Sequence, residues 1–244
     1  HSTDNTIEIL ENLIKQDDRV QWHTNPGSGI VDALNHGFSL SKGEYVTRMD
    51  CDDHMSADKL ELLLKEVKPG VVPVGLVEYF SYEELGEGYK IYAEWLNSLT
   101  RYSENYKDIY KECTIPSCCW LLTRYDFERI GGFGSRYPED YDMVFRMREA
   151  GLKVVGIDSV IHEWQDHAGR TSRNDPNYSD NRFLDIKIHY LLRELKGRSV
   201  ALLGAGNRGK DSAKILLANE VKFGWYTNNS NKIGKDIYGV ILQD

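Results

Sequence analysis

The chain has 244 residues, 41% hydrophobic and 28% charged, with a formal net charge of −8. That length can bury a real core and hold one large domain, or a domain with an appendage. The acidic balance lacks the footprint of a protein that grips nucleic acid through its phosphates, no apolar run is long enough to span a bilayer, and no signal-peptide pattern opens the chain, so a cytoplasmic protein is expected.

Ser2-Thr3-Asp4-Asn5 ahead of Ile7, Leu10, Leu13 and Ile14 predicts a capped amphipathic helix. An α/β chain ordinarily places a strand before such a helix, so the fold's first strand is expected to be missing from this sequence. Residues 20–22 predict a short strand and Asn25-Pro26-Gly27-Ser28-Gly29 a turn. Val31, Leu34 and Phe38 then stripe a helix that stops near Lys42-Gly43. Residues 45–49 read as a buried strand, and its carboxyl end carries Asp50-Cys51-Asp52-Asp53. Strand, helix, strand, helix implies a mostly parallel sheet flanked by helices, which binds its ligands where the strands end. Carboxylates packed this closely repel one another, and a divalent cation between them offsets the charge. The competing reading is a solvated turn whose acids favour the amino end of a helix over residues 58–67.

Leu60, Leu62, Leu63, Leu64 and Val67 predict that this helix is largely buried. A strand follows over 71–77, with Pro73 placing it near an edge or a bulge. Residues 79–112 are rich in tyrosine, which suits either a sugar-binding wall or, for most of these rings, the packed face of an ordinary helix. Residues 118–122 predict another strand and 125–130 a short helix. Tyr137-Pro138-Glu139-Asp140 opens a helix stopped by Gly151, a strand is expected at 154–157, and residues 162–173 show no clear periodicity. His162 and His167 are five apart and diverge on a helix, so they do not form a zinc-protease pair. The four cysteines, Cys51, Cys113, Cys118 and Cys119, form no CxxC pair and fit reduced thiols.

Asp175-Pro176-Asn177 marks a boundary, so the predicted parts are residues 1–175, a connecting segment 176–196 with a helix over 183–195, and a unit over 197–244. That last unit reads as a Rossmann-like βαβ: strand 199–203, loop Gly204-Ala205-Gly206-Asn207-Arg208-Gly209, helix 210–219 and strand 221–226. The GxGxxG pattern stands in the right context for a dinucleotide. Its second strand ends without the acid that would hold an adenine ribose, so a structural or anion-binding turn is the preferred reading. One βαβ of this size can hardly bury its own faces, so it is expected to pack on the first part or to be cut short.

Taken together, Ser2 to Thr6, Gly29 with Ala33 and Asn35, Gly43-Glu44-Tyr45, Asp50-Cys51-Asp52-Asp53, Gly131-Gly132-Phe133, Glu139-Asp140 and His167-Ala168-Gly169-Arg170-Thr171-Ser172 resemble a family 2 glycosyltransferase of the GT-A fold. The resemblance covers residues 2 to about 173. It implies that Asp50 contacts the donor ribose or the metal, and that Asp52 and His167 hold Mn2+ or Mg2+ on the diphosphate. It implies Asp140 as general base with Glu139 beside it, although Pro138-Glu139-Asp140 is also a good helix start on dipole grounds alone. Asn25, Asn35 and Arg170 would touch the donor, and Asp53 carries over less firmly, as a possible helix cap. Leu34 departs from the family, which often has a basic residue there. The pairing with a Rossmann-like tail also resembles the queuosine-tRNA galactosyltransferases, in architecture more than in substrate.

The function implied is inverting, metal-dependent transfer of a sugar from a nucleotide donor, UDP-linked, to a hydroxyl acceptor. The acidic net charge favours a saccharide or other glycan precursor over tRNA as that acceptor. Two other classes stay open: a nicotinamide-dependent oxidoreductase centred on the glycine loop, and an inactive nucleotide-sugar-binding module.

Overall fold

The computed structural model describes residues 2–136, 138–170, 174 and 183–244. The predicted boundary at Asp175-Pro176-Asn177 and the stretch Thr171 to Arg173 lie outside the described residues. The chain clusters into two compact units, the first of residues 1–78, 90–109 and 113–164, the second of residues 79–89, 110–112 and 165–244.

In the first unit, helices α1 (Thr6–Gln16) and α2 (Gly29–Leu40) precede strands β1 (Tyr45–Val46) and β2 (His54–Met55). Helix α3 (Lys59–Glu66), strand β3 (Val71–Phe80), helix α4 (Glu87–Arg101), strand β4 (Leu122–Thr123), helices α5 (Arg124–Arg129) and α6 (Glu139–Glu149) and strand β5 (Lys153–Gln165) follow. β5 lies between β2 and β3 in a three-stranded sheet, and β1 pairs with β4 with Val46 opposite Leu122. Residues 71–77 of β3 are buried without a break, so the strand reads as an apolar string rather than an alternating one. Two glycines permit the close packing around β5. A Cβ on Gly75 would stand 2.4 Å from the Ile161 side chain, and one on Gly156 would stand 1.7 Å from the Thr100 carbonyl oxygen. Asn97 of α4 donates to the Val77 carbonyl at 2.8 Å and accepts from the Val77 amide at 2.9 Å, satisfying buried backbone groups of β3 from the helix.

Several predicted elements change extent for identifiable reasons. Residues 20–22 form no strand, having no ladder partner among the described residues. The strand predicted over 45–49 shortens to two residues, and beyond it the Thr47 hydroxyl donates to the Trp120 carbonyl at 2.6 Å. The strand predicted at 118–122 shrinks likewise to β4 plus one bridge between Trp120 and Val74. In α3 only Lys59 and Leu63 are buried, while Leu60 and Leu64 stay 45% and 47% exposed, so the run of leucines wraps around the helix rather than marking a buried one. β5 runs thirteen residues and takes in His162, which had read as the start of an irregular segment.

The second unit contains helix α7 (Phe183–Leu195), strand β6 (Val200–Leu203), helix α8 (Asn207–Ala218) and strands β7 (Phe223–Tyr226), β8 (Asp236–Ile237) and β9 (Val240–Gln243). Its sheet has the order β6-β7-β9-β8, parallel across β6, β7 and β9, with β8 antiparallel to β9. The β8-β9 hairpin, unforeseen from the sequence, adds the cover that a lone βαβ lacks. Leu242 of β9 joins Ala205, Ala213 and Trp225 in a buried cluster. The protein is thus mixed α/β, with parallel strands and helices in the second unit and antiparallel β1-β4 and β2-β5 ladders in the first. Among the described residues no helix is long and apolar enough to cross a membrane.

Candidate active site

The chain leaving β1 turns inward at Arg48, which is 9% exposed although it carries a full charge. Its Nε and Nη2 donate to the two carboxylate oxygens of Asp50 at 3.0 and 3.1 Å, and its Nη1 donates to Glu139 Oε1 at 3.0 Å. Burial opposes the guanidinium charge, and the Asp50 and Glu139 carboxylates more than offset that opposition, raising the Arg48 pKa further. A buried arginine thus connects the acidic turn to the first residue of α6.

Asp140, the next residue of α6, is partly buried and accepts a 2.7 Å hydrogen bond from the Tyr141 amide. Burial and then the neighbouring Glu139 charge push its pKa up to about 6, with Arg48 pulling in the other direction. A carboxylate tuned in this way is largely ionised at neutral pH yet basic enough to accept a proton.

Within the acidic turn the four residues separate by environment. Cys51 and Asp52 are exposed, Asp50 is half-buried, and the Asp53 side chain is nearly buried. Asp53 does not cap α3, whose N-cap is Asp58. Its Oδ2 instead meets His162 Nε2 of β5 at 2.9 Å. Cys118 completes a group whose potential ligand atoms all lie within 4.8 Å of one another. Burial, then the charge of Asp50, lifts the Cys118 thiol to about 12, so at neutral pH it is a protonated thiol. Within the trio, Asp53 and His162 hydrogen-bond to each other, and the Cys118 sulfur lies beside them with Ser117 as its own neighbour.

Asn25 shapes the loop before α2, accepting from the Gly27 amide at 3.1 Å and donating to the Gly29 carbonyl at 3.2 Å. Asn35 on α2 donates to the Phe133 carbonyl at 3.0 Å. Beside them a cavity of about 370 Å³ is lined by Leu34, Phe38, Thr47, Arg48, Met49 and Phe133, among others. It borders the acidic turn, and Leu34 gives it an apolar wall.

His167 and Arg170 belong to the second unit. The Arg170 amide donates to the His167 carbonyl at 3.1 Å, and its guanidinium lies over the Tyr79 ring at 5.0 Å. In the glycine loop, Trp225 Nε1 donates to the Gly204 carbonyl at 2.9 Å and Lys232 Nζ to the Ala205 carbonyl at 2.6 Å. A Cβ on Gly209 would stand 2.1 Å from the Gly204 carbonyl oxygen, so this glycine serves close packing of α8 on the loop.

The sequence reading missed Arg48 and His162. For Arg48 a signal existed, since a lone cation inside an apolar run predicted to be buried must find carboxylate partners. For His162 there was none, because its partner lies 109 residues earlier in the chain.

The sequence model described as Glycosyl transferase family 2 matches residues 1–131. Over 65 residues, 27% of the chain, the sequence is 42% identical to a chondroitin synthase of Pasteurella multocida, covering 7% of that protein. It is 35% identical over 37% of the chain to glycosyltransferase GlyG of Streptococcus pneumoniae, covering 31% of it. The matches thus span less than a third of these curated relatives. Among solved structures it resembles a mannosyltransferase from Pyrobaculum calidifontis in complex with GDP-Man and Mn2+, with a TM-score of 0.51 and 15% identity over 89% of this chain and 57% of that one. The structural likeness concerns the fold.

Proposed function

We propose that this chain, which belongs to glycosyl transferase family 2 and has the GT-A fold, moves a sugar from a nucleotide donor to a hydroxyl acceptor with inversion. The observation that carries the reading is Asp140, a carboxyl raised to about 6 at the head of α6. Through its neighbour Glu139 and Arg48, it connects to the acidic turn. As a carboxylate, Asp140 takes the proton from the acceptor hydroxyl while that oxygen attacks the anomeric carbon, opposite the departing nucleotide. One displacement then inverts the centre. Glu139, buried and held by Arg48, raises the basicity of Asp140 and sets the position of the helix end. Asp50, held by both oxygens, faces the donor ribose.

Asp52 is the residue proposed to hold the metal. Asp52 is exposed, and its hard carboxylate oxygens suit Mn2+ or Mg2+. When bound, such a cation neutralises the leaving diphosphate. The proposed nucleotide is UDP and the proposed acceptor a saccharide or other glycan precursor. The test is nucleotide release from a panel of UDP-sugars and GDP-sugars, with saccharide acceptors, in Mn2+, Mg2+ or chelator. Metal-dependent release that requires an acceptor supports the reading, and no release from any donor sinks it.

A further inference from the structure

We propose that Arg48 is a positioning residue that joins the donor-side carboxylate of Asp50 to the base-bearing end of α6 through Glu139, so that one guanidinium sets both halves of the site. The inference rests on the transferase reading above and assigns a role to a residue outside the acidic turn and the Glu139-Asp140 pair.

The argument begins with cost. Removing an arginine from water is unfavourable unless its charge and its donors are matched. Arg48 meets that condition with two carboxylates rather than one, its Nε and Nη2 on Asp50 and its Nη1 on Glu139. Glu139 lies 91 residues away in sequence, so the contact ties the loop after β1 to the amino end of α6. The planar guanidinium fixes the angle between its two carboxylate partners, which an ammonium, a point charge on a flexible stem, cannot reproduce. Position matters here because the acceptor oxygen must be held in line with the departing group, and small misplacements of a catalytic group are expensive in rate.

Arg48 also acts through charge. Asp140 is faced by the carboxylate of Glu139, which favours its protonated form, and by the guanidinium of Arg48, which favours its ionised form. The Tyr141 amide donates to it as well. Arg48 therefore holds the base in position and holds its proton affinity down.

The experiment uses the whole chain and three variants, R48K, R48M and E139Q, with two readouts. In the first, kcat and donor KM are measured by nucleotide release. R48K keeps the charge but loses the fork, and is expected to lose about tenfold or more in kcat with a smaller change in donor KM. In the second, the Asp140 carboxyl carbon is titrated by 13C NMR. R48M is expected to move that titration upward from about 6, and E139Q to move it downward. Wild-type kcat in R48K together with an unmoved Asp140 titration in R48M would overturn the proposal. If R48M does not fold, R48K carries the kinetic arm and E139Q the titration arm, where an unmoved titration counts equally against it. If the wild-type chain turns over no sugar nucleotide, the transferase reading fails. The titration still decides whether Arg48 and Glu139 set the state of Asp140.

Discussion

Replacing Asp140 by Asn should abolish transfer and, at neutral pH, stabilise the protein. The folded-state pKa of Asp140 is raised from 3.8 to about 6, so folding favours its protonated form. The stability it contributes is fully present below about pH 4 and is lost as the pH rises through about 6. At pH 7 the ionised carboxylate costs about two pKa units at about 1.4 kcal/mol each, hence up to about 3 kcal/mol. Asp140 as a residue is only partly buried, and solvent screening reduces this to about 2 kcal/mol. Asparagine has the same shape, keeps an oxygen for the Tyr141 amide and carries no charge. The D140N variant should therefore melt roughly 4–8 °C above wild type at about pH 7.5, with no gain near pH 4. Differential scanning calorimetry at the two pH values, beside a nucleotide-release assay, reads both effects. Equal melting temperatures at pH 7.5 would refute the claim that burial and Glu139 raise this carboxyl, and residual wild-type turnover would remove it as the base.

The same titration predicts that kcat/KM falls about tenfold per unit below about pH 6 in a pH–rate profile, as the base is protonated. Asp52→Asn should weaken Mn2+-dependent UDP binding by at least about tenfold in calorimetry, while metal-independent binding is unchanged. A maleimide should label the exposed Cys51 before the buried Cys118 and Cys119, by peptide mass mapping, and Mn2+ with UDP should slow that labelling. Gly156→Ala should lower stability by about 2–4 kcal/mol in urea unfolding, because its Cβ would collide with backbone rather than with a side chain that can move.

Much of the candidate site could be read from residue types and their order. The acids at the end of a short strand, the Glu139-Asp140 helix start and the glycine loop all stand on the predicted kinds of element. Local signals suffice in these cases, since helix periodicity, caps and glycine turns depend on neighbours within a few residues. Element lengths were less legible. β1 and β4 are only two residues each, and beyond them the chain is tied by a long-range side-chain contact, the Thr47 hydroxyl on the Trp120 carbonyl 73 residues away. The β8-β9 hairpin went unpredicted, because its turn at Tyr238-Gly239 bears a positive φ on a tyrosine, which no turn rule favours.

The family, the α/β class, the acidic turn and the helix that opens at Glu139-Asp140 were determined by the sequence by itself, because each is written in the order of nearby residues. Only the tertiary structure decided what each acid does within that turn. It gave Asp50 to Arg48, turned Asp53 to His162 and left Asp52 toward solvent. The physical reason is that a carboxylate's state depends on what surrounds it in space, and here the surroundings come from α6 and β5, about a hundred residues further along the chain.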